Sequence, residues 1–175
     1  LRNEGTTEFD FGKDYLPSVN FFNASSGVSA PMVFAGYGIE APEYKFNDLA
    51  DIDLQGKIAV ILGAASPGNM GQGMARRFAA EGARVVVAGR HREVLDALAA
   101  DIGGVAMQCD ITQKAEVEAL ADLAVSTYGR VDIAVNCTGW GLIAKILETT
   151  EADLDRIAAL QFKGPYFFFQ AFVGR

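Results

Sequence analysis

The sequence predicts an α/β fold in which parallel strands are joined by crossover helices. From Lys57 onward, short β-branched runs alternate with segments of helical periodicity, which is the pattern of such a fold. A glycine-rich segment, Gly63 to Gly73, directly follows the first run. A chain of 175 residues can hold one buried domain and a smaller appendage, so we expect a β-rich segment at 1–56 and the α/β domain at 57–175.

Four runs of strand length predict the parallel sheet. Each is largely apolar along its length rather than on alternate residues, so we expect it to be buried on both faces of the sheet. The runs are Ile58 to Leu62, Arg84 to Ala88, Val105 to Cys109 and Asp132 to Asn136.

Apolar residues at helical spacing predict three crossover helices between these strands. We expect Thr112 to cap the third helix at its start and Gly129 to end it. The three apolar stripes consist of Met70, Met74, Phe78 and Ala79; Leu95, Leu98, Ala99 and Ile102; and Val117, Leu120, Ala121, Ala124 and Tyr128.

A fourth helix is predicted to begin at Thr150, because Asp153 three residues later completes a capping box. Gly164 and Pro165 should kink or interrupt this helix before the aromatic run Tyr166 to Phe169. Its predicted apolar face carries Leu154, Ile157, Ala158 and Gln161.

Residues 1–56 have weak helical periodicity and several turn signals. We expect strands at Ser18 to Phe22 and at Met32 to Gly36. This β-rich segment should pack on the parallel sheet or add strands to it.

The composition argues against several functions. The net charge of −7 opposes binding to nucleic acid, and no apolar stretch is long enough to cross a membrane. The first ten residues lack the pattern of a signal peptide, so we expect a cytoplasmic protein.

The chain has few residues for metal or nucleophilic chemistry. Two cysteines, Cys109 and Cys137, are too few for a disulfide scaffold. The single histidine, His91, is too little for a histidine-based zinc site or a Ser-His-Asp triad. We expect no bound metal, and two cysteines that are small buried residues at strand ends.

The segment from Gly63 to Gly71 has the composition of a phosphate-binding loop. Glycines let the backbone turn tightly and approach a pyrophosphate, while amide groups and the helix dipole stabilise its negative charge. Because the segment stands between a predicted strand and a predicted helix, it is more specific than a glycine-rich stretch alone.

With its surroundings, this loop resembles the start of a short-chain dehydrogenase/reductase. The resemblance implies a Rossmann-like parallel sheet with strand order 3-2-1-4, flanked by helices, and a nicotinamide dinucleotide as cofactor. The matching pieces are Asp53 to Ser66, Ala79 to Arg90, Cys109 to Thr112, Val135 to Gly139 and Phe162 to Gln170.

The same resemblance implies which residues bind the cofactor. The loop, the end of the second strand and the turns after the third and fourth strands would each contribute. The implied residues are Gly63, Ser66, Gly68, Met70 and Gly71 at the pyrophosphate, Arg90 at the adenosine ribose, Asp110 and Ile111 at the adenine, and Asn136 and Gly139 beside the nicotinamide ribose.

The end of the second predicted strand indicates which cofactor is used. An acidic residue there would bind the ribose hydroxyls of NAD(H) and repel the 2′-phosphate of NADP(H). The chain has Gly89 followed by Arg90, with Arg92 nearby, so we predict a preference for NADP(H). The alternative is that both arginines are solvated charges at the start of a helix.

No catalytic residue is predicted. In the family, a serine, a tyrosine and a lysine four residues after it support hydride transfer, and all three would follow the last residue of this chain. The family's helix asparagine corresponds to Gln161, which could hold a water molecule or be a satisfied buried polar group. We therefore expect a truncated member of the family without activity.

The first third of the chain resembles part of the protease-associated domain of zinc aminopeptidases. The resemblance rests on Ala30 to Tyr44, on Asp48 and on Gly56-Lys57. Since Gly56 to Val60 would suit either family, we expect a natural or engineered chimera joined at this strand.

Two functions remain open at this point: weak binding of NADP(H), or a structural or interaction role without a small-molecule ligand. We also expect a homo-oligomer, because the fourth strand would otherwise be an open sheet edge and the run Tyr166 to Phe172 would lack cover.

Overall fold

The computed structural model describes residues 40–41, 46–47 and 53–173, and the chain divides into two compact units, Leu1–Asp53 and Leu54–Arg175. In the first unit, β1 (Glu40–Ala41) and β2 (Phe46–Asn47) form an antiparallel pair. The strands predicted at 18–22 and 32–36, and most of the segment that resembles a protease-associated domain, lie outside the described residues.

The second unit is built on a four-stranded parallel sheet. Its strand order is β5-β4-β3-β6, which is the predicted order 3-2-1-4 when the four strands are numbered along the chain. The strands are β3 (Ile58–Leu62), β4 (Arg84–Gly89), β5 (Val105–Gln108) and β6 (Ile133–Asn136), each within one residue of its predicted bounds.

The two central strands of this sheet are almost completely buried. Every residue of β3 is at most 2% exposed, and β4 is buried apart from Arg84. A buried Val, Ile or Leu side chain contributes roughly 1.5–3 kcal/mol relative to an exposed one. The continuous apolar runs of β3 and β4 therefore lie at the centre of the sheet. The expectation of burial on both faces is wrong for β5 and β6, which are only half-buried because they lie at the edges.

Three helices cover the sheet: α1 (Met70–Ala80), α2 (Arg92–Ile102) and α3 (Lys114–Tyr128). The second and third end, as such helices commonly do, at glycines in the left-handed region, Gly103 and Gly129. The predicted stripes supply the buried faces of α2 and α3. The stripe predicted for α1 is mostly wrong, because only Phe78 of it is buried and Met70 is 72% exposed.

The predicted cap of α3 is wrong. Gln113 is the N-cap residue, and its side chain makes no capping hydrogen bond. Thr112 instead donates from its amide and its hydroxyl to Oδ1 of Asp110, at 2.9 and 2.8 Å. Asp110 offers Thr112 an acceptor two residues away, so Thr112 closes a turn rather than starting the helix.

The fourth helical region has three parts: α4 (Glu151–Ile157), a π segment (Ala158–Lys163) and α5 (Gly164–Phe172). It begins with the predicted capping box of Thr150 and Asp153. The expected interruption takes the form of a wide turn, because the Gly164 amide donates to the Ala159 carbonyl five residues earlier.

The two ends of this helical region differ in burial. Phe168 and Phe172 of α5 have ring centroids 4.6 Å apart and belong to a core cluster that includes residues of α3. The apolar face predicted for α4 is not buried, since Leu154 is 57% exposed and Gln161 is also exposed. Among the described helices, none combines the length and the hydropathy that crossing a membrane requires.

Candidate functional site

The carboxyl ends of β3, β4, β5 and β6 border one cleft with a cavity volume of about 170 Å³. The crossover connections on either side of β3 lead away from it in opposite directions, because β4 lies on one side of β3 and β6 lies on the other. In parallel α/β sheets this point of divergence is where ligands bind.

The turn after β3 requires glycine at two positions. Gly63 has φ +103°, and a Cβ there would lie 2.6 Å from the carbonyl carbon of Cys137. A Cβ on Gly71 would lie 2.7 Å from the Gly63 oxygen. The first glycine lets the ends of β3 and β6 touch, and the second lets α1 begin directly against the turn.

Two polar side chains fix the shape of this loop. Asn69 caps α1 by accepting from the Gln72 amide at 3.0 Å, and its Nδ2 donates to the Gly63 carbonyl at 2.7 Å. Gln72, which is buried, donates to the Ala64 carbonyl and accepts from the Gly68 amide. The sequence interpretation missed both residues, although an asparagine just before a helix start is a recognisable N-cap signal.

Several amides of the loop have no acceptor in the part of the chain that the structure describes. Among the described residues, the amides of Ser66, Met70 and Gly71 make no hydrogen bond. Met70 and Gly71 are the first two residues of α1, where the helix dipole also favours negative charge. The loop therefore has the donors and the shape that a pyrophosphate requires.

At the end of β4, Gly89 packs so closely that a Cβ on it would lie 2.6 Å from the Cβ of Ala65. Arg90 and His91 follow and line the cleft. Arg92 does not line it, because its Nε is bonded to both carboxylate oxygens of Asp96 at 2.8 Å. Of the two arginines considered from the sequence, Arg90 is the one at the cleft.

The turn after β5 brings Cys109, Asp110 and Ile111 to the cleft wall. Burial, together with the charges of Glu116 and Asp110, raises the pKa of the Cys109 thiol to about 12. Cys109 is therefore a neutral thiol at physiological pH, consistent with the predicted role of a small buried residue at a strand end.

The turn after β6 repeats the hydrogen bonds of the turn after β5. Oδ1 of Asn136 accepts from the Thr138 amide at 2.9 Å and from its hydroxyl at 2.7 Å. Asn136 thus shapes the turn, while Cys137, Thr138 and Gly139 line the cleft. Burial also raises the pKa of the half-buried Cys137 thiol.

Trp140 completes this wall together with two residues of the fourth helical region. The guanidinium carbon of Arg156 lies 4.0 Å from the Trp140 ring centroid. Nε2 of Gln161 donates to the Trp140 carbonyl at 2.9 Å. Gln161 is exposed, so the alternative in which it is a buried polar group is wrong.

The structure thus brings together most of the residues predicted to bind a cofactor. Four of the predicted residues shape the backbone without lining the cavity: Gly68, Met70 and Gly71 in the loop after β3, and Asn136 in the turn after β6. The predicted residues that do line it are Gly63, Ser66, Arg90, Asp110, Ile111 and Gly139.

The sequence interpretation missed ten residues that line the cavity. Most are neighbours of predicted ones along the chain, but Arg156 and Leu160 come from a distant helical region that carried no such signal. The missed residues are Ala65, Asn69, Gly89, His91, Cys109, Cys137, Thr138, Trp140, Arg156 and Leu160.

The chain is similar in sequence to known oxidoreductases. A family model described as enoyl-(acyl carrier protein) reductase matches residues 63–174. D-threitol dehydrogenase of Mycolicibacterium smegmatis is 35% identical over an alignment of 126 residues, and the match covers 69% of this chain and 48% of that protein. The chain spans about half the length of the curated relatives it matches.

Solved structures of oxidoreductases share the fold. A 3-ketoacyl-(acyl-carrier-protein) reductase from Brucella melitensis, complexed with NADH, has a TM-score of 0.63 and 37% identity over 67% of this chain and 49% of its own. An actinorhodin polyketide ketoreductase with NADPH has a TM-score of 0.64 and 26% identity over 68% of this chain and 47% of its own.

Proposed function

Because the chain belongs to the short-chain dehydrogenase/reductase family, we propose that its cleft binds a nicotinamide dinucleotide and prefers NADP(H) to NAD(H). The observation that carries this proposal is the set of amides at Ser66, Met70 and Gly71, at the end of a strand and the start of a helix, that make no hydrogen bond to a described residue. Such amides favour a bound pyrophosphate, because they supply donors that no described carbonyl uses.

The order of the strands supports a proposed position for the rest of the cofactor. With the pyrophosphate over β3, the adenosine would lie on the side of β4 and β5, beside Arg90, Asp110 and Ile111. The nicotinamide would lie on the side of β6, beside Gly139 and Trp140. Neighbouring strands are about 4.8 Å apart, so a dinucleotide is long enough to lie across all four strand ends.

The preference for NADP(H) rests on the residues that follow β4. Gly89 carries no carboxylate that could bind the ribose hydroxyls, and Arg90 has no ion pair among the described residues. A guanidinium at this position would bind a 2′-phosphate through charge-assisted hydrogen bonds. Because Arg92 is held by Asp96, Arg90 would provide most of the preference.

The nicotinamide, when bound, would supply hydride chemistry, while the residues of this chain bind and orient it. None of the five tyrosines is followed four residues later by a lysine: Asp132 stands there after Tyr128, and Gln170 after Tyr166. We propose that these 175 residues bind the cofactor without catalysing turnover.

The second candidate function is a structural or interaction role through self-association. Large apolar side chains are exposed along the fourth helical region and at the residue that follows it, and a surface of this kind favours a homo-oligomer. The residues are Leu154, Phe162, Tyr166, Phe169 and Val173. The expected cytoplasmic location stays a prediction.

A fluorescence titration tests the proposed function. Binding should enhance and shift the nicotinamide emission of NADPH, and at equal concentrations NADH should give a weaker response. A response to neither cofactor would contradict dinucleotide binding and favour the structural role. An equal response to both would retain dinucleotide binding and reject the preference.

A further inference from the structure

The pair formed by Trp140 and Arg156 stands at the β6 side of the cleft. The guanidinium lies over the indole ring at 4.0 Å, and both side chains line the cavity. A stacked guanidinium keeps the N–H groups at its edge available for an oxyanion. The pair therefore presents a fixed positive charge to whatever occupies this end of the cleft.

Gln161 lies in the π segment, and Arg156 lies just before this segment, in α4. The two side chains hold the backbone carbonyl and the ring of Trp140, respectively. A π turn within a helix often marks a functional site.

Arg156 forms no ion pair within the described part of the chain. No carboxylate lies within 4.0 Å of it there. Asp153, one turn earlier, is bonded to the amide and hydroxyl of Thr150. These bonds and the charge of Arg156 lower the pKa of Asp153, so it stays an acceptor for Thr150 at neutral pH. The other residues of this wall, Cys137, Thr138, Gly139 and Leu160, are uncharged.

We propose that Arg156, stacked on Trp140, binds the carboxylate of a small ketone or alcohol substrate beside the nicotinamide position. This inference rests on the proposed function, which assigns the nicotinamide to the β6 side. The phosphates of the cofactor would bind at Arg90 and at the loop amides, and these leave Arg156 to the substrate. A planar carboxylate matches two parallel N–H groups of a guanidinium edge.

A pair of matched ketones tests the inference on the 175-residue protein saturated with NADPH. Trp140 is the single tryptophan, so its fluorescence reports directly on this wall. We expect 4-oxopentanoate to bind about tenfold more tightly than 2-pentanone, which lacks the carboxylate. Arg156→Met should abolish this difference, and Arg156→Lys should retain only part of it.

Matched controls separate this role from folding and from cofactor binding. Lys114→Met, which removes one positive charge on α3, should leave the difference between the ketones unchanged. Circular dichroism should show that both methionine variants fold. If NADPH does not bind but the Arg156-dependent preference for 4-oxopentanoate persists, the proposed function is wrong and the carboxylate site remains.

Three results would overturn the inference. One is equal binding of the two ketones to the wild-type protein. Another is a loss of NADPH affinity in Arg156→Met as large as its loss of carboxylate affinity, which would make Arg156 a cofactor ligand. The third is a higher affinity for inorganic phosphate than for 4-oxopentanoate that is lost in Arg156→Met, which would indicate a phosphate site.

Discussion

Gly63 and Cys137 are in backbone contact across the ends of β3 and β6, so closely that a Cβ on Gly63 would lie 2.6 Å from the Cys137 carbonyl carbon. This contact joins the phosphate loop to the turn proposed to hold the nicotinamide. We predict that Gly63→Ala lowers stability by about 1–3 kcal/mol and raises the dissociation constant for NADPH more than tenfold. Thermal unfolding and the NADPH titration measure the two effects.

Gly73 provides the matched control for this substitution. It lies within α1, where a Cβ would meet nothing within 4 Å. Gly73→Ala should therefore raise helix stability by roughly 0.5–1 kcal/mol and leave NADPH affinity unchanged. Equal effects of the two substitutions would show that the Gly63–Cys137 contact is unimportant.

Arg90 should determine the choice between the two cofactors. Arg90→Asp removes the guanidinium and introduces an acid that would repel a 2′-phosphate while accepting from ribose hydroxyls. We expect at least a tenfold loss of NADPH affinity and unchanged or tighter NADH binding, measured by titration of both. Arg92→Ala should change neither value much, since Arg92 is bonded to Asp96. A similar loss in both variants would indicate long-range attraction instead of a 2′-phosphate site.

The sequence predicts the parallel sheet well, because continuous burial of both faces requires continuous apolar runs such as β3 and β4. It also predicts the phosphate loop, since the positive φ of Gly63 and the close approach at Gly71 both demand glycine. These features depend on neighbours along the chain.

Other features depend on residues that only the fold brings together. Trp140 contacts Arg156 sixteen positions later and the side chain of Gln161 twenty-one positions later, and neither contact leaves a periodic signal in the sequence. The Thr112 prediction was wrong because a threonine can cap a helix or close a turn with Asp110 equally well. The chimera hypothesis stays a prediction, because the residues that carry it lie mainly outside the described part of the chain.

Asp132 should make the stability of the second unit depend on pH. Its Oδ2 accepts from the Ile58 amide at 2.8 Å, and Arg130 lies 3.0 Å away. Partial burial tends to raise the pKa of this carboxyl, but the Ile58 hydrogen bond, Arg130 and Lys57 together lower it. The folded pKa lies below the unfolded value of about 3.9. The stabilisation is therefore complete above about pH 5 and is lost as the pH falls through the folded pKa.

Asp132→Asn should destabilise the protein by about 1 kcal/mol at pH 7 and by less at acid pH. Urea unfolding of both proteins at several pH values measures this difference. A constant difference between pH 7 and pH 3 would contradict a role for the charged carboxylate. Glu118→Gln, which removes an exposed carboxylate on α3, is the charge control.

Cys137 should report directly on occupancy of the cleft. Its thiol is half-buried, lines the cavity and lies 3.7 Å from the sulfur of Met74. Because burial raises its pKa, little thiolate forms at pH 7, and reaction with a disulfide reagent should be slow and should accelerate with rising pH. Cys109, which is buried and has a pKa of about 12, should react only on unfolding.

Bound NADPH should slow the modification of Cys137 severalfold, because it would cover the turn from Cys137 to Gly139. Cys137→Ser should eliminate the NADPH-sensitive phase of the reaction. If saturating NADPH leaves the rate of Cys137 modification unchanged, the nicotinamide does not lie on the β6 side of the cleft.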